Sequence, residues 1–414
     1  MRRDRNGHPR PVTKIEVSEN RFSLKVVLFL AFLVLGLGAV TVGLISLLSK
    51  DAGWQEVKIT SLSKTRLGDE FTFYYDIGRE GNSSAEYKAL ATLYTNACDK
   101  AGRLLDPHNA YEDCPNLCTL NRKVNEPVTV DESLYRVFEQ LTKADNRLAY
   151  LAPAYDAYVS MGYCTEAVDA AAYDPFTNAD AAARLKTVSA FARDPGAVNV
   201  ELLGDNTLCL KVSEDYLAFA RQEGVETYVD LGWMKNAFAI DMIAEVLEGG
   251  GYTAGNLTSA DGFTRNLDAG DAPYTYAVYA KVGTTVYPAA TLTYNGAGSF
   301  VNLRDYPVTE ADADRFCTLL GEPIRTFFAS PRDGLCRNAT HDLLAADVTG
   351  GRGCAELALS VSSAWIGEEL GPLPREITVI YPREHTLVMS GPEIPVEGLL
   401  KTEDWAFTLE RAEP

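Results

Sequence analysis

The sequence predicts an α+β fold, in a single two-lobed domain preceded by one transmembrane helix. Stretches that alternate polar and apolar residues between turn residues indicate antiparallel or mixed strands, at Glu70–Tyr75, Val198–Val212, Tyr274–Val282 and Val286–Tyr294. Other stretches repeat apolar residues every three or four positions and predict separate helices, at Ser84–Ala101, Asp131–Ala144 and Ala179–Phe191. No low-complexity linker divides the chain after the membrane segment, which favours one domain.

The amino-terminal region predicts a membrane anchor. Residues 26–49 carry no charged side chain and are long enough to cross a hydrocarbon core as a helix. They are longer than the apolar core of a cleaved signal peptide, which is the alternative interpretation. Basic residues outnumber acidic ones in the tail before them, so the positive-inside rule puts the tail in the cytoplasm. We expect a single-pass cell-membrane protein with a tail (1–25), a signal-anchor helix (26–49), a stem (50–66) and an extracytoplasmic domain (67–410).

The balance of charge excludes one class of partner. The chain has 57 acidic and 38 basic residues, a formal net charge of −19, and most of the acidic surplus follows the membrane segment. Such a domain repels nucleic acid and anionic lipid. We therefore expect no nucleic-acid partner, and contact with the membrane through the single anchor.

All eight cysteines follow the membrane segment, at Cys98, Cys114, Cys118, Cys164, Cys209, Cys317, Cys336 and Cys354. An even number in an exported domain permits disulfides, although buried thiols fit the sequence equally well. Cys114 and Cys118 are the nearest pair, and a bridge between them would span Pro115. A zinc site would require a second close pair, or histidines at ligand spacing, and the sequence has neither. No metal ligand is therefore predicted.

The stretch from residue 228 to residue 265 predicts a strand, a turn, a helix and a second turn ending in an acid. Tyr228–Leu231 is short and apolar, which is typical of a buried strand. Apolar residues then recur at helical spacing from Ala237 to Leu247, and three glycines, 249–251, end the predicted helix. An acid, Asp261, follows the second turn.

This order of VDLG, helix, turn and acid resembles the FAD:protein FMN transferase family, the ApbE-like flavin transferases. In that family the block reads approximately DLGAIAKGYAVD, followed by a helix and a Gly-Gly-Asp turn. Three further stretches are similar to family elements, and together they extend the resemblance over most of residues 66–390. They are Pro115–Leu134, which contains a Thr-Leu-Asn triplet, the hairpin Val198–Val212, and Ala346–Val361, which resembles the family's His-Ile-Ile-Asp-Pro-x-Thr-Gly element and the strand after it.

Several family motifs are altered in this chain. The Lys-Gly pair is replaced by Asn236 and Ala237, with Lys235 one residue earlier. One residue rotates a helical side chain by about 100°, so we expect that Lys235 could not replace the missing amine without a local shift of the backbone. The paired glycines are lost from the Gly-Gly-Asp turn, which here is residues 259–262 with its acid shifted by one position. Glycine has no side chain, so a ligand can approach its backbone closely. The side chains that replace the glycines leave less room for a ligand at this turn.

The carboxyl-terminal motifs of the family are altered as well. The histidine of the fourth element has no counterpart in this chain. Residues 359–371 align with an Asp-Ala-Leu-x-Thr helix whose Asp and Thr help to hold Mg²⁺, and they lack that pattern. Glu368 or Glu369 is the substitute ligand that the stretch offers, and a solvated helix face is the alternative interpretation of both.

The resemblance implies a reaction and a set of site residues. The family moves FMN from FAD to a Ser or Thr of a partner redox protein, and Mg²⁺ would neutralise charge at the cleaved pyrophosphate. No catalytic residue is implied. The loops at Gly232 and Asp261 would face one nucleotide-sized crevice. The residues carried over to the lining of that crevice are Asn121, Asp230, Gly232, Asp261, Asp347 and Thr349, with Lys235 as an imperfect match.

Two functional hypotheses follow from the sequence. The first is a membrane-anchored flavin transferase that acts outside the cell on a membrane-associated redox protein, with FAD as substrate and Mg²⁺ as the metal. The second is a catalytically inactive relic of the same fold, which serves as a flavin-binding or assembly protein. The altered motifs motivate the second hypothesis, and the extent of the resemblance motivates the first.

Overall fold

A computed structural model describes residues 52–60, 63, 65–78, 82–163, 171–304, 306–308, 318–319, 322–323, 330, 332–334, 342–366 and 370–412. The predicted tail and transmembrane segment lie outside these residues, as do Glu368 and Glu369. Within the described residues, no helix is long and apolar enough to cross a membrane.

Eight α-helices occur in the described part of the chain. They are α1 (Ser83–Leu104), α2 (Leu117–Arg122), α3 (Glu132–Lys143), α4 (Ala152–Tyr163), α5 (Ala179–Arg193), α6 (Glu214–Glu223), α7 (Lys235–Gly249) and α8 (Cys354–Trp365). Short 3-10 helices occur at Leu67–Glu70, Leu148–Leu151 and Gly232–Met234. Several α-helices begin at a side-chain cap, as where the Asp131 carboxylate accepts a hydrogen bond from Ser133 N–H at the start of α3.

The strands form one large sheet and three small ones. The strands are β1 (Gly53–Glu56), β2 (Phe71–Ile77), β3 (Pro127–Thr129), β4 (Val198–Gly204), β5 (Thr207–Val212), β6 (Gly255–Ser259), β7 (Phe263–Asn266), β8 (Pro273–Val282), β9 (Thr285–Asn295), β10 (Gly298–Leu303), β11 (Thr318–Leu319), β12 (Glu322–Pro323), β13 (Leu343–Asp347), β14 (Thr378–Arg383), β15 (Thr386–Ser390), β16 (Val396–Glu397) and β17 (Thr408–Arg411). In the described chain the large sheet has the order β1-β2-β6-β7-β10-β13-β14-β15-β17, antiparallel except for the β15–β17 pair. The small sheets are β16-β9-β8, β3-β5-β4 and β11-β12.

Two hydrophobic cores lie on opposite faces of the large sheet. Along β10 and β13 successive side chains alternate between them, because neighbouring residues of a strand point to opposite faces. Val301 and Ala345 pack in the core that contains α7 and α8. Phe300 and Leu344 pack in the second core, against β8 and β9. The large sheet therefore separates a helical layer from a three-stranded layer, which confirms the predicted α+β class.

The structure corrects two predicted strands. Tyr228–Leu231 is buried but pairs with no described strand, and the chain enters a 3-10 helix at Gly232. Periodicity alone cannot show whether a short apolar run is a strand. In this run the backbone N–H groups donate to the Asn121 side chain and to the carbonyl of Ala149, and not to a neighbouring strand. The strand expected within Ala346–Val361 is replaced by α8, whose apolar residues at helical spacing face the main core. The helix predicted from Ala237 to Leu247 is confirmed by α7.

Part of the predicted stem belongs to the domain. Residues 50–66 were expected to connect the membrane to the fold, but Gly53–Glu56 forms β1 and pairs with β2 along its whole length. Val57 is buried in the main core, and its N–H donates to the carbonyl of Phe73. The domain therefore includes Gly53–Glu56, which the predicted boundary at residue 67 left out.

Asp241 on α7 fixes the relation between α7, α8 and the large sheet. Its carboxylate accepts hydrogen bonds from the N–H groups of Cys354 (2.9 Å) and Ala355 (2.8 Å), in the first turn of α8. It also lies 3.4 Å from Nη1 of Arg265 on β7. The first N–H groups of a helix have no partner within the helix and carry partial positive charge, so a carboxylate there is stabilising.

We expect Asp241→Ala to lower the free energy of unfolding by about 3 kcal/mol, because it leaves the largely buried Arg265 without its nearest carboxylate and uncaps α8. Urea unfolding of the purified chain measures this loss. Glu139→Ala, which removes an exposed carboxylate from α3, is the control and should change stability by less than about 0.5 kcal/mol. Equal effects of the two substitutions would contradict the role given to Asp241.

Candidate functional site

Asn121 holds the segment that leads into the site. Its Oδ1 accepts hydrogen bonds from the N–H groups of Tyr228 and Val229, both at 3.0 Å, and its Nδ2 donates to the carbonyl of Val229. The side chain is buried, at 5% exposure. Asn121 was predicted to line the nucleotide crevice. In the structure its amide lies against Tyr228 and Val229 and pairs with their backbone groups, as a neighbouring strand would.

Gly232 forms the turn between this segment and α7. Its φ of +54° lies in the left-handed region, and a Cβ at this position would lie 2.5 Å from the ring of Tyr155. Its N–H donates to the Asp230 carboxylate at 3.0 Å. Both the backbone angle and the aromatic contact therefore require glycine here.

Asp230 lies beside a second carboxylate. Burial raises the pKa of the Asp230 carboxyl, and burial followed by the nearby charge of Asp230 raises that of Asp156, against the opposing effect of His108. His108 Nε2 is 3.6 Å from Asp156 Oδ1. The two carboxyls therefore hold protons to higher pH than an isolated Asp does.

A compact polar cluster joins the start of α7 to the β6–β7 turn. Asn236 Nδ2 donates to Glu70 Oε2 at 2.8 Å and to Asp261 Oδ2 at 3.0 Å. Lys235 Nζ lies 3.8 Å from Glu70 Oε1. Lys235 and Asn236 thus approach different oxygens of one carboxylate from neighbouring positions of the helix. Both side chains reach the same carboxylate, because Glu70 stands across the first turn of α7.

The amide oxygen of Asn236 has no hydrogen-bond partner among the described residues, although the side chain is only 2% exposed. A buried amide oxygen without a donor is costly, and such an atom in a native structure is a position where a water, an ion or a ligand can supply the missing contact. Glu70 and Asp261 flank the same amide. The cluster therefore offers oxygen atoms of the kind that hard cations bind.

A cavity of about 420 Å³ opens beside this cluster. Glu70 lines it, together with Ser259, Ala260 and Gly262 of the β6–β7 turn. Its other walls include Tyr276, Tyr279, Asn302 and Arg304. Ligand cavities in proteins typically have volumes of about 300–1,000 Å³. The turn that carries Asp261 therefore faces a cavity large enough for part of a nucleotide.

Gly262 is required where the turn meets this cavity. Its φ is +101°, and an added Cβ would lie 2.5 Å from the carbonyl oxygen of Asn302 on β10. The chain thus keeps one glycine in the β6–β7 turn, at the position where the backbone comes closest to the neighbouring strand.

Asp347 and Thr349 lie at a different end of the sheet. Asp347 accepts hydrogen bonds from Thr349 N–H (2.8 Å) and Oγ1 (2.6 Å), and it lies 3.4 Å from Nη1 of Arg352. In the strand register, Asp347 is level with Ser299 and Arg265. Asp261 is four residues before Arg265 in the chain, so the two acids are separated by about 13 Å along the strand direction alone.

The acid-and-hydroxyl spacing that residues 359–371 lack is present slightly earlier, in the middle of α8. Glu356 and Ser360 are four residues apart there, and the Glu356 carboxylate lies 3.3 Å from Arg352 Nε. The sequence signal was present as ELALS, but assigning this stretch to a strand concealed it. Glu70 was also missed, because it lies 166 residues before the Asn236 that it contacts.

The predicted site residues thus fall into three places. Asp230, Gly232, Lys235 and Asp261 lie around the first turn of α7. Asn121 lies under that turn, and Asp347 and Thr349 lie beyond β10. In the described part of the chain, no group of three or more His, Cys, Asp or Glu side chains is arranged to hold a metal ion.

The described cysteines are thiols. Cys114 and Cys118, the pair proposed for a bridge, are both free, and Cys118 Sγ donates to the carbonyl of His108 at 3.1 Å. Cys98, Cys209 and Cys354 are free and buried. The thiol alternative therefore holds for these five, and the other cysteines lie outside the described residues.

Comparison with solved structures identifies the fold. The chain is similar to the flavin transferase ApbE from Vibrio cholerae, with a TM-score of 0.51 and 14% identity over 80% of this chain and 94% of that chain. It is also similar to the ApbE protein from Thermotoga maritima, with a TM-score of 0.52 and 12% identity over 83% and 97% of the two chains. No protein-family model matches the chain, and no curated protein has a significant sequence match to it. The described structure therefore has the fold of the ApbE proteins, as the sequence motifs indicated.

The raised pKa values of Asp156 and Asp230 predict a pH dependence of stability. The ordinary pKa of Asp is about 3.9, and above this pH the unfolded state releases protons that the folded state retains. Each carboxyl whose pKa is raised in the folded state therefore makes stability fall as pH rises. Asp156→Asn removes one such group and the charge that it places near Asp230. We therefore expect the variant to gain stability relative to the natural chain between pH 4 and pH 7.

Urea unfolding at several pH values measures this difference. Asp180→Asn, which changes an exposed carboxylate in the first turn of α5, is the matched control and should show no such trend. A difference between the Asp156 variant and the natural chain that stays constant from pH 4 to pH 7 would contradict the assignment.

Proposed function

We propose that the chain is an ApbE-like flavin transferase that binds FAD beside the first turn of α7 and transfers FMN to a Ser or Thr hydroxyl of a partner redox protein. The observation that carries the proposal is the contact between Asn236 and Asp261. It brings two motifs of the family resemblance together, next to a cavity that is lined by Glu70 and by the residues on both sides of Asp261, in a chain with the ApbE fold.

The charges around the cavity fit a pyrophosphate. Arg304 lines the cavity, where its guanidinium donates to the carbonyls of Tyr306 and Asn302, and it brings a fixed positive charge. Lys235 adds an ammonium at Glu70. Positive groups held in place before the reaction stabilise charge that develops on phosphate oxygens.

The residues present also fit Mg²⁺, although the described chain has no larger acidic cluster. Mg²⁺ is commonly held by one or two carboxylates together with substrate phosphates and water. Glu70, Asp261 and the unpartnered amide oxygen of Asn236 would hold it. When bound, Mg²⁺ neutralises charge on the two phosphates at the bond that breaks.

In the proposed transfer, the acceptor hydroxyl oxygen forms a bond to the phosphorus of the FMN half of FAD. The bond from that phosphorus to the bridging oxygen breaks, AMP leaves, and the hydroxyl proton is lost to solvent. The role of this chain is to orient the pyrophosphate against Arg304 and Lys235 and to keep Glu70 and Asp261 beside it.

We also propose the cellular setting on the basis of the sequence. Residues 26–49 anchor the chain in the cell membrane with the tail in the cytoplasm and the flavin domain outside. A membrane-associated redox protein is then the acceptor that the anchored domain meets.

The direct test uses the full-length chain with FAD, Mg²⁺ and a peptide that carries the family's threonine acceptor motif. A gain of FMN mass on the peptide supports the transferase. Saturable quenching of FAD fluorescence without transfer supports the alternative, a flavin-binding relic, which is motivated by Asn236 standing where the family has lysine. Absence of both signals would contradict both functions.

The Mg²⁺ assignment predicts the behaviour of one variant. We expect Mg²⁺ to tighten FAD binding to the natural chain by about tenfold, which corresponds to about 1.4 kcal/mol. Asp261→Asn should lose most of this gain, because it removes one of the two carboxylates. Fluorescence titrations with and without Mg²⁺ measure it, with Asp271→Asn, an exposed acid outside the cavity, as control. An undiminished Mg²⁺ effect in the Asp261 variant would contradict the proposed ligand.

A further inference from the structure

A second cavity, of about 470 Å³, lies where the end of α3, the 3-10 helix Leu148–Leu151 and the carboxyl-terminal half of α8 meet. It is separate from the cavity beside Asp261 and shares no lining residue with it. Its wall is mainly apolar and includes Leu148, Leu359 and Ile366. Its volume is within the range of small-molecule sites.

Positive charge is concentrated at this cavity. Arg147, Arg193 and Arg332 line it, and Asp145 is the acid in the described lining. The whole chain has a formal net charge of −19, so three arginines at one cavity depart strongly from the average surface. A cleft of one sign with low-dielectric walls concentrates ions of the opposite sign.

Arg147 gives the cavity a fixed positive charge. Its guanidinium donates to the carbonyls of Ala192 and Val198 and to Asn199 Oδ1, and it lies 4.1 Å above the ring of Tyr150. These acceptors are neutral, so they hold the guanidinium in place without cancelling its charge. Burial lowers the pKa of Arg147, against the smaller opposing effects of Tyr150, Asp145 and Asp194.

Arg193 and Arg332 are exposed, and within the described part of the chain neither lies within 4 Å of a carboxylate oxygen. Arginines elsewhere commonly have such partners. Arg136 pairs with Glu245, Arg184 with Glu223 and Arg352 with Asp347. The guanidinium groups at the cavity thus have donors left for an incoming anion.

We propose that this cavity binds an organic oxyanion, a phosphate ester or a carboxylate attached to an apolar or aromatic body. Arginine forms paired hydrogen bonds with both kinds of oxyanion, and its charge attracts them. The apolar wall formed by Leu148, Leu359 and Ile366 would receive the body of the ligand. This site is independent of the flavin cavity, and its ligand need not be a nucleotide.

Calorimetric titration of the full-length chain with phenyl phosphate tests the site. Benzoate, inorganic phosphate and benzyl alcohol are titrated in parallel. Benzoate compares a carboxylate with a phosphate, inorganic phosphate lacks the ring, and benzyl alcohol lacks the charge. We expect saturable binding of phenyl phosphate or benzoate, weaker binding of inorganic phosphate, and none of benzyl alcohol. Binding should weaken as salt is added.

Arg193→Gln and Arg332→Gln should each weaken binding of the preferred probe by about tenfold. Arg147 is a poor test position, because its contacts with the backbone make its loss a folding defect. Arg221→Gln removes an exposed arginine outside the cavity and is the matched control. Binding that none of the variants alters, or equal binding of benzyl alcohol and phenyl phosphate, would overturn the proposal.

Discussion

The arrangement of the molecule depends on the contact of Asp241 with the first turn of α8. One carboxylate on α7 satisfies two N–H groups of α8 and lies next to Arg265 on the large sheet. This contact lies near the middle of α7, and Asn236 lies five residues before it, in the first turn of the helix. Because a helix is rigid, fixing α7 at Asp241 also fixes where Asn236 meets Glu70 and Asp261. The polar cluster beside the flavin cavity is therefore positioned by an interaction that takes no part in binding.

The segment from Asp230 to Met234 is linked through its chain and its hydrogen bonds to residues near both cavities. On one side, Asp230 N–H donates to the carbonyl of Ala149, which follows the Leu148 of the arginine-lined cavity. On the other side, the same segment leads directly into Lys235 and Asn236. The cavities differ in charge, since carboxylates accompany the basic groups at the first and arginines predominate at the second. Asn121 holds the residues just before this segment, and the contact of Gly232 with Tyr155 holds the segment itself, so its position is fixed.

Local features of the fold could be predicted from sequence, whereas long-range contacts could not. Helix α7 has a clear apolar face and a glycine stop, and its existence and type followed from spacing alone. Tyr228–Leu231 has no such pattern, because a short apolar run is compatible with a strand or with a buried loop whose hydrogen bonds come from elsewhere. The side chain that supplies those bonds, Asn121, is more than a hundred residues away. The contact of Glu70 with Asn236 could not be predicted for the same reason, although the strand that begins near Glu70 was predicted.

The pairing of β1 with β2 has a consequence for motion. If residues 26–49 cross the membrane, only residues 50–52 separate the bilayer from a strand locked into the large sheet. A link of that length spans at most about 11 Å when fully extended. The domain would then be tethered almost flush with the lipid headgroups and unable to swing outward. A membrane-bound acceptor would then meet the domain at the membrane surface, and diffusion within the plane of the membrane would govern how often the two meet.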